Sequence, residues 1–208
     1  MTDTATETTL RDAAPLRADA ARNRERIICA AATAYATGGP DVSLEEIAHL
    51  AGVGVGTVYR RFPTKQSLLE ALLEETMCSY AAHAEQMAEL AKTDPWHAFS
   101  EHVTFLLSAQ ACNLTFSALL RRPEQSSPGF REQHLRALAA SGTLVRIAKR
   151  AGVLCPGFRH DDLLLMRDAN HGIVQNAGAD AHEASARFAT YILESFRARP
   201  PRASAPQA

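Results

Sequence analysis

Two short stretches with helical apolar periodicity, Leu44 to Ala51 and Val55 to Phe62, are separated by Gly52-Val53-Gly54 and closed by Pro63. Ser43 followed three residues later by Glu46 predicts a capping box that opens the first of them. Leu44, Ile47, Ala48 and Ala51 then fall on one face. Gly52 stops that helix, and Pro63 breaks the next. Two short helices across a tight glycine turn make a helix-turn-helix.

What the second helix presents decides what the motif can do. At about 100° per residue, Val58 and Phe62 share a face with Val55 at its edge. These three are expected to pack on Ile47, on Leu50 and on the first helix, which starts near Arg22. The opposite face holds Gly56, Thr57 and Arg60, flanked by Tyr59 and Arg61. An apolar back with a front of Thr, Tyr and Arg suits a helix lying in a DNA major groove. Arg bonds guanine O6 and N7 in a bidentate way, whereas Tyr and Thr hydroxyls reach phosphates. Lys65, in the first turn of the next helix, is placed to hold a phosphate with that helix's N-terminus. Arg22, Arg24 and Arg26 cluster ahead of the motif.

The placement of charge matters because its total is uninformative. Lys plus Arg is 22 and Asp plus Glu is 23, a net charge of -1. There is no general basic signal for nucleic acid and no acidic tail. Hydrophobic residues at 46% and charged residues at 22% describe a chain with a sizeable core, not a disordered one. Cys29, Cys78, Cys112 and Cys155 form no CxxC and no zinc-ribbon spacing. With no legible secretory leader, they read as reduced thiols in a cytoplasm. The uncharged run from Val103 to Leu120 contains Thr104, Ser108, Gln110, Asn113, Thr115 and Ser117. It reads as a buried helix pair, and no membrane span is expected.

The rest of the chain reads as helix after helix, with no convincing strand. Residues 1–20 are expected to form a flexible tail. A first helix follows from about Arg22 to Thr37, ended by Gly38-Gly39-Pro40. A long helix starts near Thr64-Lys65 and carries Leu68, Leu69, Leu72, Leu73 and Met77. Asp94-Pro95 opens another, and Leu114 to Leu120 forms a short one. A helix ends at Arg150, one opens at Asp161 or Asp162 and reaches Ala177, and Asp180 with Glu183 is expected to box the start of the last. Residues 199–208 are Pro-rich and are expected to be disordered. The expected domains are 21–65 and 66–198.

The stretch from Arg26-Ile27-Ile28 through SLEEIAHLAGVGVGTVYRRFPTKQSLLEALL resembles the N-terminal domain of TetR-family transcriptional regulators. The resemblance covers about residues 22 to 75 and rests on IAxxAGV, Thr57-x-Tyr59-x-x-Phe62 and Lys65. It implies an all-α homodimer of about nine helices, with DNA bound by the first three. It also implies that Thr57, Tyr59 and Lys65 contact phosphates or the groove floor, while Val55, Gly56, Arg60 and Arg61 read bases. Ser43 and Gly54 are placed with the same DNA-facing set. The sequence departs from the pattern at Gly54, where Ser or Thr commonly caps the recognition helix, and Gly56 lies inside that helix. An interior Gly costs about 1 kcal/mol against Ala. The free recognition helix is therefore expected to fray and to order on DNA.

Two recognition helices related by a twofold axis read a near-palindrome. Leu163, Met166, Ile173 and Val174, with Phe188, Ile192 and Phe196, are the candidate dimer face. The resemblance also implies a cavity for a small, mainly apolar effector in the C-terminal region. Trp96, Phe99, His102, Phe105, Leu106, Asn113, Phe116, Met166, Asn170 and His171 are its candidate lining. Gly52-Val53-Gly54-Val55-Gly56 lacks both the GxGxxG spacing and a preceding strand, so no nucleotide cofactor is expected. No GxSxG, P-loop or HExxH occurs. His97 and His102 do not share a helix face, so no metal site and no enzyme activity are expected. The alternative is an all-α interaction protein or a small helical enzyme without recognisable motifs.

Overall fold

A computed structural model describes residues 5–38 and 41–198, with side chains from residue 19 onward apart from 36–40. Among the described residues there are nine α-helices: α1 (Ala5–Gly38), α2 (Leu44–Ala51), α3 (Val55–Arg61), α4 (Lys65–Leu90), α5 (Pro95–Cys112), α6 (Leu114–Arg121), α7 (Pro128–Arg150), α8 (His160–Ala177) and α9 (Ala181–Phe196). Single 3₁₀ turns cover Pro123–Gln125 and Gly178–Asp180. One isolated antiparallel bridge joins Leu154 to Arg197. The chain is all-α, as its periodicity predicts.

Most helix starts follow from the capping residues. The Asp94 carboxylate accepts from the His97 N–H at 3.1 Å, with Pro95 in the first helical position. Asn113 caps α6 through the Phe116 N–H at 2.9 Å, and Ser127 caps α7 through the Phe130 N–H at 3.1 Å. Thr64 and Ser67 bond each other's backbone N–H groups at the start of α4.

Three starts differ from expectation. α1 begins at Ala5 instead of near Arg22, so much of the expected N-terminal tail is helical; its Ala, Arg and Glu are strong helix formers. α8 begins at His160, and Asp162 reaches back to accept the Arg159 N–H at 2.7 Å. It is the third residue of the helix, not its first. Asp180 makes no side-chain cap for α9. Its backbone (φ −90°, ψ 9°) belongs to a 3₁₀ turn and lacks the extended geometry a cap requires. Residues 1–4, the Gly39-Pro40 stop and the Pro-rich end at 199–208 lie outside the described residues.

The chain divides into two compact units between Leu73 and Glu74, inside α4 and some residues past the expected boundary at 65/66. The first unit is built on α1, α2, α3 and the first turns of α4. Its core holds Ile27, Ile28, Ala31 and Ala34, then Leu44, Ile47, Ala48 and Ala51, then Val58 and Phe62, and lastly Leu68 and Leu72. Removing this apolar surface from water stabilises the unit by roughly 25 cal/mol per Å².

The second unit is organised around α5, which packs on α6, α7, α8 and α9. Phe99, Phe158 and Phe196 meet edge to face, with ring centroids 5.5 Å and 4.9 Å apart along that series. Beside the bridge, the Cys155 N–H donates to the Phe196 carbonyl at 2.7 Å and the Ala198 N–H to Val153 at 2.9 Å. These bonds hold the end of α9 against the loop after α7. No single helix among the described residues is long and apolar enough to cross a membrane. The α5–α6 pair bends by 119° between Cys112 and Leu114.

Candidate nucleic-acid interface

Ser43 accepts the Glu46 N–H at 3.1 Å while the Glu46 carboxylate accepts the Ser43 N–H at 2.7 Å. The same carboxylate takes the Ser43 hydroxyl at 2.9 Å. These bonds hold the Glu46 carboxyl below its usual range, chiefly through the Ser43 N–H. Ser43 is therefore committed to the start of α2.

The turn that follows needs glycine. Gly52 has φ +60°, and its N–H bonds the carbonyls closing α2. A Cβ there would lie 2.7 Å from Arg26 Nη2. That guanidinium donates to the Gly52 carbonyl at 3.1 Å, so α1 braces the turn. Arg22 is held by Asp19 within α1. Of the predicted arginine cluster, Arg22 and Arg26 thus have partners inside the unit.

Gly54 precedes α3 in an extended conformation with no side-chain cap. A Cβ on Gly54 would have only Thr57 Oγ1 nearby, at 3.9 Å, and one on Gly56 would meet nothing within 4 Å. Val58 is fully buried and Phe62 nearly so. Gly56, Tyr59, Arg60, Arg61 and Lys65 are exposed, and Thr57 is half-buried. Two residues expected to be covered are not: Val55 is 41% exposed and Leu50 is 58% exposed. Val58 of α3 and Phe62 just after it are the residues of this segment that enter the core.

The polar front is pre-arranged. Arg60 Nη2 lies 3.4 Å from Thr57 Oγ1, one turn earlier. The Tyr59 hydroxyl donates to Glu45 Oε1 of α2 at 2.7 Å. That bond holds the Glu45 carboxyl below its usual range and pushes the Tyr59 phenol up. Lys65 Nζ donates to the Asp41 carbonyl at 3.1 Å, which ties the start of α4 to the loop before α2. Sequence reading missed Glu45 as the partner of Tyr59 and Asp41 as that of Lys65. Both contacts join separate elements, and neither leaves a spacing signal.

In the second unit, a cavity of about 30 Å³ lies among α4, α5, α6, α7 and α8. Of the candidate lining residues it takes His102 and Leu106. Phe99, Phe116 and Met166 are buried in the core instead. Trp96 is half-buried beneath the Arg197 guanidinium, 4.9 Å from its ring centroid. Phe105 is 37% exposed and stacks on His83 at 3.9 Å. Asn113 caps α6. Asn170 donates to Leu107 O and Gln110 Oε1, and His171 Nδ1 is 2.9 Å from Ser117 Oγ. The polar lining that sequence reading missed consists of Tyr80, His134, Ser141, His160 and Arg167. Of the candidate dimer residues, Leu163, Met166 and Val174 are buried within the unit, and Ile173, Phe188, Ile192 and Phe196 are half-buried.

A braced turn, a helix anchored by Val58 and Phe62, and an arginine-bearing outer face define a helix-turn-helix DNA-binding protein. Residues 27–72 match the family described as "Bacterial regulatory proteins, tetR family". A search of curated proteins finds no match. Among solved structures, a TetR transcription regulatory protein from Mycobacterium vanbaalenii is 29% identical over 88% of this chain and 99% of its own, with a TM-score of 0.65. A TetR transcriptional regulator from Streptomyces coelicolor is 24% identical over 85% and 99%, also at 0.65. SmeT, described as the repressor of a Stenotrophomonas maltophilia multidrug efflux pump, shares the fold at 20% identity over 89% and 96%, with a TM-score of 0.55. Residues 27–72 are thus similar to the DNA-binding region of the tetR family, and the chain as a whole shares the fold of TetR transcriptional regulators.

Proposed function

We propose that the chain is a cytoplasmic, non-enzymatic repressor that binds a near-palindromic operator as a homodimer and releases it when a small, mainly apolar effector occupies the cavity of the second unit. The observation that carries this reading is the outer face of α3, where Arg60 and Arg61 stand exposed behind a buried Val58. Arg60 and Arg61 read bases, with Val55 and Gly56 letting the backbone approach the groove. Thr57, Tyr59 and Lys65 hold phosphates. Two such helices reach successive major grooves only when a twofold axis relates them. Residues of α8 and α9 that face outward supply that axis, with Leu165 at 70% and Tyr191 at 61% exposure. The effector acts through its differential affinity for the DNA-bound and released conformations, a coupling of about 1–3 kcal/mol.

The test is selection of DNA fragments by the purified protein, followed by footprinting. The expected result is one family of inverted repeats protected on two successive major grooves. Recovery of fragments with no common sequence would overturn the reading.

A further inference from the structure

Val55 opens α3 with its side chain 41% exposed, on the same side of the helix as the exposed Tyr59. Val58, three positions on, is fully buried and holds the back of the helix in the core. The first turn of α3 therefore presents an isopropyl group at Val55, bare backbone at Gly56 and a half-buried Thr57. The polar atoms nearby have partners already: Thr57 Oγ1 lies 3.4 Å from Arg60 Nη2, and the Tyr59 hydroxyl donates to Glu45 at 2.7 Å. Gly54 and Gly56 stand on either side of Val55. A Cβ on the first would have Thr57 Oγ1 at 3.9 Å as its neighbour, and one on the second would meet nothing within 4 Å. No side chain on the flanking residues keeps a duplex from the isopropyl group.

A lone exposed valine needs no explanation on most surfaces. On this side of α3, beside Arg60 and Arg61, it meets the edges of bases. The major groove carries hydrogen-bond donors and acceptors on every base pair and one kind of apolar group, the C5-methyl of thymine. An isopropyl group set against a donor or acceptor takes away its water and returns no hydrogen bond. Set against the methyl, it buries apolar surface on both partners. Arg60 follows about 7.5 Å further along the helix axis, at ~1.5 Å per residue. That distance is about two base-pair steps of a duplex.

We propose that Val55 reads a thymine in each operator half-site through its C5-methyl, about two base pairs from the base taken by Arg60. Gly56, with no side chain, lets the helix come close enough for that contact. The inference rests on the operator reading above and adds the chemical group that the first turn of α3 selects.

The test uses the full chain and the operator recovered by selection. Thymines are replaced by deoxyuridine, one symmetric pair at a time, which removes the methyl and keeps the base-pair hydrogen bonds. Affinity is read by fluorescence anisotropy at fixed salt. One pair of positions is expected to lose about fourfold per half-site, the worth of one buried methyl. This first result needs no protein variant, so it does not depend on a variant's folding. Val55→Ala should lose about as much on the thymine operator and be indifferent to uracil at that position. At the same position, 5-methylcytosine opposite guanine should bind the parent chain more tightly than cytosine does, because it carries the same methyl. Uracil tolerated at every position would overturn the proposal and leave the operator reading standing. So would a uracil loss that persists in full in Val55→Ala, or equal binding of cytosine and 5-methylcytosine. Selection that yields no common sequence would overturn the operator reading itself.

Discussion

Tyr59 of α3 donates its phenolic hydrogen to the Glu45 carboxylate of α2 at 2.7 Å, on the face assigned to DNA. The bond orients the phenol but places a negative charge where a phosphate must come. In Glu45→Gln an amide oxygen still accepts the hydroxyl, and the repulsion is gone. This variant should bind operator and unrelated DNA several-fold more tightly at low salt, with the ratio between them unchanged. Fluorescence anisotropy on both DNAs checks it, and weaker binding to both would show that the carboxylate's orienting role dominates.

Arg60 and Lys65 should separate base reading from phosphate binding. Arg60→Ala should lower operator affinity by about 1–3 kcal/mol at fixed salt and relax the preference at one base position. Lys65→Ala should weaken binding to every sequence and reduce the salt slope by about 1. A base preference left intact in Arg60→Ala would remove that residue from the reading set.

The glycines of the turn differ in what they tolerate. Gly56→Ala places a methyl in open space and should stabilise α3 by about 1 kcal/mol, slowing amide exchange across residues 55–61. Gly52→Ala forces φ +60° on a residue with a Cβ and drives it against Arg26 Nη2, so it should destabilise by about 1–2 kcal/mol. Urea unfolding of the two variants should move in opposite directions.

Acid should unfold the protein through His102. Its folded value is about 3, below the ordinary 6.5, so between those limits the unfolded chain binds a proton that the native chain does not. Stability is then fully present above pH 6.5 and falls as the pH drops toward 3, by at most about 1.4 kcal/mol per pH unit from this group. Burial also lowers His83, His134 and His171, adding to the same trend. Urea midpoints at pH 7 and pH 5 measure it, and a flat profile would contradict the burial of His102.

Leu165→Glu should weaken dimerisation without unfolding the monomer, because this side chain is 70% exposed on α8. Sedimentation equilibrium would show the shift. A variant as dimeric as the parent would move the interface elsewhere.

The helices, their order and the exposed polar side of α3 were legible in the residues. Ser43 with Glu46, Gly52, Asp94-Pro95 and the Val58/Phe62 spacing act within one turn of backbone, and local chemistry of this kind is decided by near neighbours. Leu50 and Val55 marked the limit of that reading. Their periodicity pointed inward, yet the short α3 left both exposed. Whether an apolar residue is covered depends on what lies opposite, which periodicity does not specify.

Packing between distant segments settled the remainder. Glu45 meets Tyr59 across 14 positions and Arg26 meets Gly52 across 26. In the second unit, the apolar residues of α5, α6 and α8 were interchangeable candidates for a cavity or a core. Folding assigned Phe99, Phe116 and Met166 to the core and His102 to the cavity. Helical propensity and caps are one-dimensional properties carried by neighbouring residues. Cavities exist only once several helices have closed around the same volume.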